Sequence, residues 1–135
     1  MKKIKILMIS TTTTTLFLTG CASTESQLSS ELQKELNTPL YCEEGISCKD
    51  MWERATYFVK SNSGFKLQIL NDNVIETYNP TSNSPSLAFS ISKEPLGDGK
   101  YKIWTKAWCN NIFGCQPNHW EAMARAKRYM RTGQK

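Results

Sequence analysis

Apolar residues punctuate the chain with two different periods. At Cys48, Met51, Trp52, Ala55, Phe58 and Val59 the spacing is three and four, which puts all six on one side of a helix. Ser47 is placed to cap that helix, with Asp50 three residues on as a shortened capping-box acid, and Asn62-Ser63-Gly64 ends it with Gly64 free to turn left-handed. The period then changes to two. Phe65, Leu67 and Ile69 alternate with Lys66 and Gln68, Asn71-Asp72-Asn73 signals a turn, and Val74 to Tyr78 is expected to pair back as a hairpin. A loop with two prolines spans Asn79 to Ser86, Leu87, Phe89 and Ile91 alternate again, and Pro95 to Gly99 turns the chain into a fourth strand from Lys100 to Cys109. Finally Asn118 caps a helix with Glu121 three residues later and an apolar stripe of Trp120, Met123, Ala124 and Met130. The order is α-β-β-β-β-α. The expected architecture is a small single α+β domain, a four-stranded antiparallel sheet with helices packed on it, because an apolar sheet face needs a cover.

Upstream of this region the pattern changes character. Residues 22–39 are polar and rich in Ser, Glu and Gln, although Leu28, Leu32 and Leu36 recur at helical spacing. The segment is read as a tether containing a weak helix at most; if flexible, it would reach roughly 25 Å. Before it, Lys2, Lys3 and Lys5 precede a largely uncharged stretch from Ile6 to Leu18, diluted by the threonines at 11 to 15. A transmembrane helix needs about 20 apolar residues, so this stretch is too short to span a bilayer and has the form of an export signal.

That signal ends in Leu18-Thr19-Gly20-Cys21, which resembles the lipobox of bacterial lipoproteins: an aliphatic residue, two small residues and an obligatory cysteine. The resemblance covers only the first two dozen residues. It implies cleavage before Cys21, a diacylglyceryl group on the Cys21 thiol and acylation of the new amino terminus with chains of the palmitate kind. Each buried CH₂ contributes roughly 0.8 kcal/mol, so two or three chains would hold the protein on a membrane. The implied organisation is a signal peptide at 1–20, an acylated cysteine and flexible polar tether at 21–39, and a folded domain at 40–135. In the sorting rule of enterobacterial lipoproteins an aspartate just after the cysteine retains the protein in the inner membrane. Ala22-Ser23 lacks it, so the resemblance implies the outer membrane of a Gram-negative envelope.

Cysteine usage is consistent with an exported chain. Setting Cys21 aside, Cys42, Cys48, Cys109 and Cys115 remain, an even number that suggests two disulfides in an oxidising compartment. Of the three possible connectivities, two local loops, Cys42 to Cys48 and Cys109 to Cys115, are the simplest. Each would contribute on the order of 2–3 kcal/mol and pin the entry to a helix. A structural zinc site fits less well, since its paired cysteines usually lie two to four residues apart.

Charge is unevenly spread. The whole chain carries +5, yet residues 21–50 hold six acids against two bases, and residues 99–135 hold one acid against eight bases. A basic C-terminal third attracts anionic partners such as lipid head groups, lipopolysaccharide or nucleic acid, or is simply a solvated cationic face.

Catalytic signals are weak. His119 is the only histidine, at the start of the last helix, so neither a serine triad nor a multi-histidine metal site can be assembled. Glu43-Glu44 are adjacent, nothing marks Glu53, Glu76 or Glu94 as a site, and Gly97-Asp98-Gly99 reads as a turn. The expectation is no catalytic residue, no metal and no cofactor. Two surfaces stand out instead. On the fourth strand Lys102, Trp104, Lys106 and Trp108 share the face opposite Tyr101, Ile103, Thr105 and Ala107, setting two indoles among two ammonium groups. Such a face suits glycan or lipopolysaccharide better than nucleic acid, unless the last helix covers the tryptophans while the lysine stems snorkel outward. On the last helix Arg125, Arg128 and Arg131 recur every three residues and could dock on anionic head groups. The expected function is a membrane-anchored, non-catalytic accessory module that interacts with an envelope protein or an anionic glycan. The alternatives are a structural subunit of an envelope or secretion assembly and, less favoured, a dedicated glycan- or lipopolysaccharide-binding protein.

Overall fold

A computed structural model describes residues 25–134. The expected signal peptide, the lipobox-like motif and Cys21 lie outside these residues. Over the described residues the fold is α+β, with three α-helices and one five-stranded antiparallel sheet. After a 3-10 turn at Glu25–Gln27 come α1 (Ser30–Asn37), β1 (Leu40–Glu43), α2 (Ile46–Asn62), β2 (Leu67–Leu70), β3 (Val74–Thr77), β4 (Ser84–Gly97), β5 (Lys100–Asn110) and α3 (His119–Thr132). The sheet order is β1-β5-β4-β3-β2.

The sheet therefore has five strands, not the expected four. The additional one is β1, where buried Leu40 and Cys42 alternate with exposed Tyr41 and Glu43. A strand of four residues is too short for a period to declare itself; β1 is defined by its partner, with Leu40 opposite Ile103 and Cys42 opposite Tyr101. The polar stretch expected as a tether contains α1. Its cap is Ser29, whose Oγ accepts from Leu32 N at 3.4 Å, and Thr38 N closes its last turn on Lys34 O. Leu28 is buried and Leu36 packs against the core.

Helix α2 carries the anticipated stripe: Cys48, Ala55, Phe58 and Val59 are buried, with Met51 and Trp52 packed beside them. Both of its ends differ from expectation. Its cap is Gly45 at φ +119°, and Ser47, already inside the first turn, donates to Glu43 O instead. At the other end Gly64 is not left-handed. Its N–H donates to Leu87 O, and a Cβ there would lie 2.5 Å from Ser86 Cβ, so close approach to β4 is what demands glycine.

The β2–β3 hairpin turns on Asn71, whose Oδ1 accepts from the N–H groups of Asn73 and Val74. A bulge between Leu67 and Ile69 breaks the expected alternation: Leu67 is opposite Thr77, but Ile69 is opposite Glu76 and is exposed. β4 runs further than the expected Leu87 to Ile91, taking in Pro95 and Gly97 before the turn at Asp98. Helix α3 is capped as expected, Asn118 Oδ1 accepting from Trp120 N at 2.9 Å, and closes on left-handed Gly133.

One face of the sheet is packed. Leu87, Phe89 and Ile91 of β4, Ile75 of β3, Leu40 of β1, and Ile103 and Ala107 of β5 meet Ala55, Phe58 and Val59 of α2 and Met123, Ala126 and Met130 of α3. Phe58 and Phe89 pack edge to face, 6.0 Å between ring centres. Thr77 is the one buried polar side chain among the described residues: its Oγ1 accepts from Phe89 N at 2.9 Å, extending the β3–β4 pairing beyond the Glu76–Ser90 pair. Arg54 ties the helices together by donating to Met130 O. Both local disulfides are present, Cys42–Cys48 joining β1 to α2 and Cys109–Cys115 joining the end of β5 to the approach of α3. Among the described residues no helix is long and apolar enough to cross a membrane.

Candidate functional site: the open face of the sheet

Helices α2 and α3 lie on the same side of the sheet, so among the described residues its other side is formed chiefly by the side chains of its own strands. The registers define that side: Tyr41 faces Lys102, Lys102 faces Glu94, Trp104 faces Ser92, Lys106 faces Ser90, Ser90 faces Glu76 and Trp108 faces Ala88. The four β5 residues singled out from sequence are therefore brought together, as a two-residue period requires.

They are not equivalent. Trp104 is 51% exposed and fixed from two sides: the Lys102 ammonium sits 3.8 Å from its ring centre, and its Nε1 donates to Glu94 Oε2 at 2.5 Å. Tyr41, on the neighbouring strand, is equally exposed. Trp108 is half-buried, with Lys106 5.1 Å from its ring and its cross-strand partner Ala88 fully buried. Trp108 also lines a cleft with Cys109, Cys115, His119 and Trp120, so one end of the face closes over and the other stays open. Helix α3 does not cover Trp104. Charge on this face is mixed: Lys100, Lys102 and Lys106 share it with Glu43, Glu76 and Glu94.

The arginines of α3 are spent differently. Arg125 pairs with Glu121 on its own helix at 2.7 Å, Arg128 pairs with Glu31 of α1 at 3.0 Å, and Arg131 pairs with Glu35 of α1. Lys127 donates to Leu36 O at the C-terminal end of α1. Burial and the neighbouring Arg131 and Lys102 hold the Lys127 ammonium below the usual lysine range, against the opposing pull of Glu35. Thus part of the charge asymmetry read from sequence, an acidic N-terminal region and a basic C-terminal one, is used inside the molecule, where two ion pairs seat α1 on α3.

His119 stacks against Trp120 with 4.7 Å between ring centres, and burial lowers its pKa. Among the described residues no cluster of His, Cys, Asp and Glu is placed to hold a metal ion.

Sequence reasoning missed a second exposed feature. Ile112 and Phe113 are each 85% exposed at the tip of the loop closed by Cys109–Cys115. The loop is tied down on both sides of them: Asn111 Nδ2 donates to Asn83 O, Asn111 Oδ1 accepts from Phe113 N, and Gln116 N donates to Pro85 O. The available signal was an apolar pair lying between Asn110-Asn111 and Gly114, where turn residues should leave it in solvent. No protein-family model, curated protein or solved structure matches the chain.

Proposed function

We propose that this protein is a lipid-anchored, non-catalytic interaction module of the bacterial envelope, and that the open face of its sheet is the working surface. The observation that carries the reading is Trp104: a large aromatic ring left half-exposed and held in place by Lys102 and Glu94, on a sheet face that neither α2 nor α3 covers. Aromatic residues concentrate at interaction surfaces because a rigid ring buries much area at low entropic cost. The address is supported by Leu18-Thr19-Gly20-Cys21 behind a positive, then apolar, leader, by the two disulfides, and by the missing aspartate after Cys21, which favours the outer membrane.

Intact mass of the membrane-extracted protein tests the address. A chain starting at Cys21, carrying acyl mass and gaining two hydrogens per disulfide on reduction, is expected; an unacylated chain overturns the anchor. The working surface is tested with Trp104→Ala and Trp108→Ala, both expected to weaken association with membrane, glycan or envelope protein; Trp104→Ala should leave the melting temperature nearly unchanged, and the half-buried Trp108→Ala should lower it modestly without unfolding the domain. If both variants unfold, the rings belong to the core and the reading fails.

A second reading, a structural subunit of an envelope assembly, is favoured by Ile112 and Phe113, an apolar pair displayed on a tied loop. It requires a stable partner to co-purify after mild detergent extraction, and a purely monomeric extract counts against it.

A further inference from the structure

Helix α1 determines where the chain upstream of it must start. The 3-10 turn at Glu25–Gln27 folds back along α1: Gln33 Nε2 donates to Leu28 O at 3.1 Å, and Asn37 Nδ2 donates to Glu25 Oε1 at 3.0 Å. Glu25 is thereby held beside Asn37, at the C-terminal end of α1. Asn37 in turn lines a cleft with Lys102, Trp104 and Lys127. The helix is itself fastened to the domain through Glu31–Arg128, Glu35–Arg131 and Lys127–Leu36 O. Cys21 precedes Glu25 by four residues, and four residues span at most about 14 Å when fully extended. An acyl group on Cys21 would thus enter the bilayer close to the corner of the domain that carries Trp104 and Lys102, not at the end of a roughly 25 Å tether.

We propose that the open sheet face rests on the head-group layer of the membrane that holds Cys21. This inference rests on the lipid-anchor reading. The chemistry of the corner suits that layer. Tryptophan and tyrosine favour the membrane interface, where one edge of the ring is apolar and the other wet, and Trp104 and Tyr41 are the exposed aromatics of this face. Lysine stems lie along apolar surface while their ammonium groups reach phosphates, and Lys102 and Lys106 flank the ring. Glu43 and Glu94 leave the face nearly balanced in charge, which matches a layer of mixed zwitterionic and anionic head groups better than a purely anionic polymer. The anchor supplies the affinity, and the face sets the orientation.

The test uses the full acylated chain, its acyl mass verified first, reconstituted into phosphatidylethanolamine–phosphatidylglycerol vesicles with brominated acyl chains. Of the four tryptophans, one or two would lie within range of the quencher, so emission should fall by roughly a quarter relative to unbrominated vesicles. More than half of that loss should disappear in Trp104→Phe. Lys106→Glu, which keeps every indole, should also reduce it. A chain without acyl mass overturns the anchor reading and this inference with it. An acylated chain that is not quenched, or whose quenching is the same in Trp104→Phe, overturns only the inference. An acylated, unquenched chain whose emission shifts on adding lipopolysaccharide or peptidoglycan fragments assigns the face to a glycan.

Discussion

Alternate residues of β4 and β5 end in two different environments. On the side covered by α2 and α3, Phe89 and Ile91 are fully buried and Ile103 and Ala107 nearly so. On the other side, Ser90, Ser92, Lys102, Trp104 and Lys106 keep contact with solvent, and the largest ring among them is held by a cation and a carboxylate instead of by packing. The backbone, the strands and the register are common to both sides; what differs is whether a helix lies above. The covered side supplies stability through buried apolar area, at about 25 cal/mol per Å². The open side contributes little to stability, and its residues are free to serve another surface.

Substitutions should separate the two sides by size of effect. Phe89→Ala, which removes a ring packed against Phe58, is expected to cost about 3–5 kcal/mol in urea unfolding. Thr77→Val keeps the shape but leaves Phe89 N without its acceptor, and should cost roughly 1–3 kcal/mol in the same measurement. Trp104→Ala should cost less than about 1 kcal/mol, since exposed ion–ring and surface contacts are weak. A cost comparable to that of Phe89→Ala would mean that the two sides are not different in kind. The smallest effect belongs to His119, in the cleft where Trp108 of the open side meets Trp120 of α3. Burial lowers its pKa from the ordinary 6.5, so the unfolded chain binds more protons in the window just below that value. Stability should therefore rise with pH through that window and level off above about 6.5. Acid titration of the melting temperature should show this slope flattened in His119→Gln.

Periodicity made the covered side legible. The stripes of α2 and α3 and the alternation in β4 and β5 were visible because each runs over enough residues to repeat. β1 was not legible, since a four-residue strand is defined by what lies opposite it, and its partner Lys100–Ile103 is some 60 residues away in the sequence. The role of Gly64 was misread for a related reason: a glycine at a helix end has a local explanation, whereas the actual one, the nearness of Ser86, exists only in three dimensions. At the candidate surface, strand alternation was sufficient to group Lys102, Trp104, Lys106 and Trp108. It could not show that Arg128 and Arg131 are taken up by Glu31 and Glu35, because nothing in a list of charges states which ones meet.

The placement of β1 and α1 has a consequence for the order in which the molecule can be built. β1 pairs with the last strand and α1 packs on the last helix, so β1 acquires its partner strand and α1 its partner helix only when the final third of the chain has arrived. Contacts of such sequence separation are the slow ones, because loop closure comes before any gain from pairing. The two cystine loops, each closing over a sequence separation of six, do not wait on these long-range contacts. A nascent chain emerging from its amino terminus can thus staple Cys42 to Cys48 early, while Leu40–Glu43 remains an unpaired segment until Lys100–Ile103 emerges beside it. A chain truncated before Lys100 would keep the cystine that ties β1 to α2 but leave β1 without its partner strand and α1 without α3.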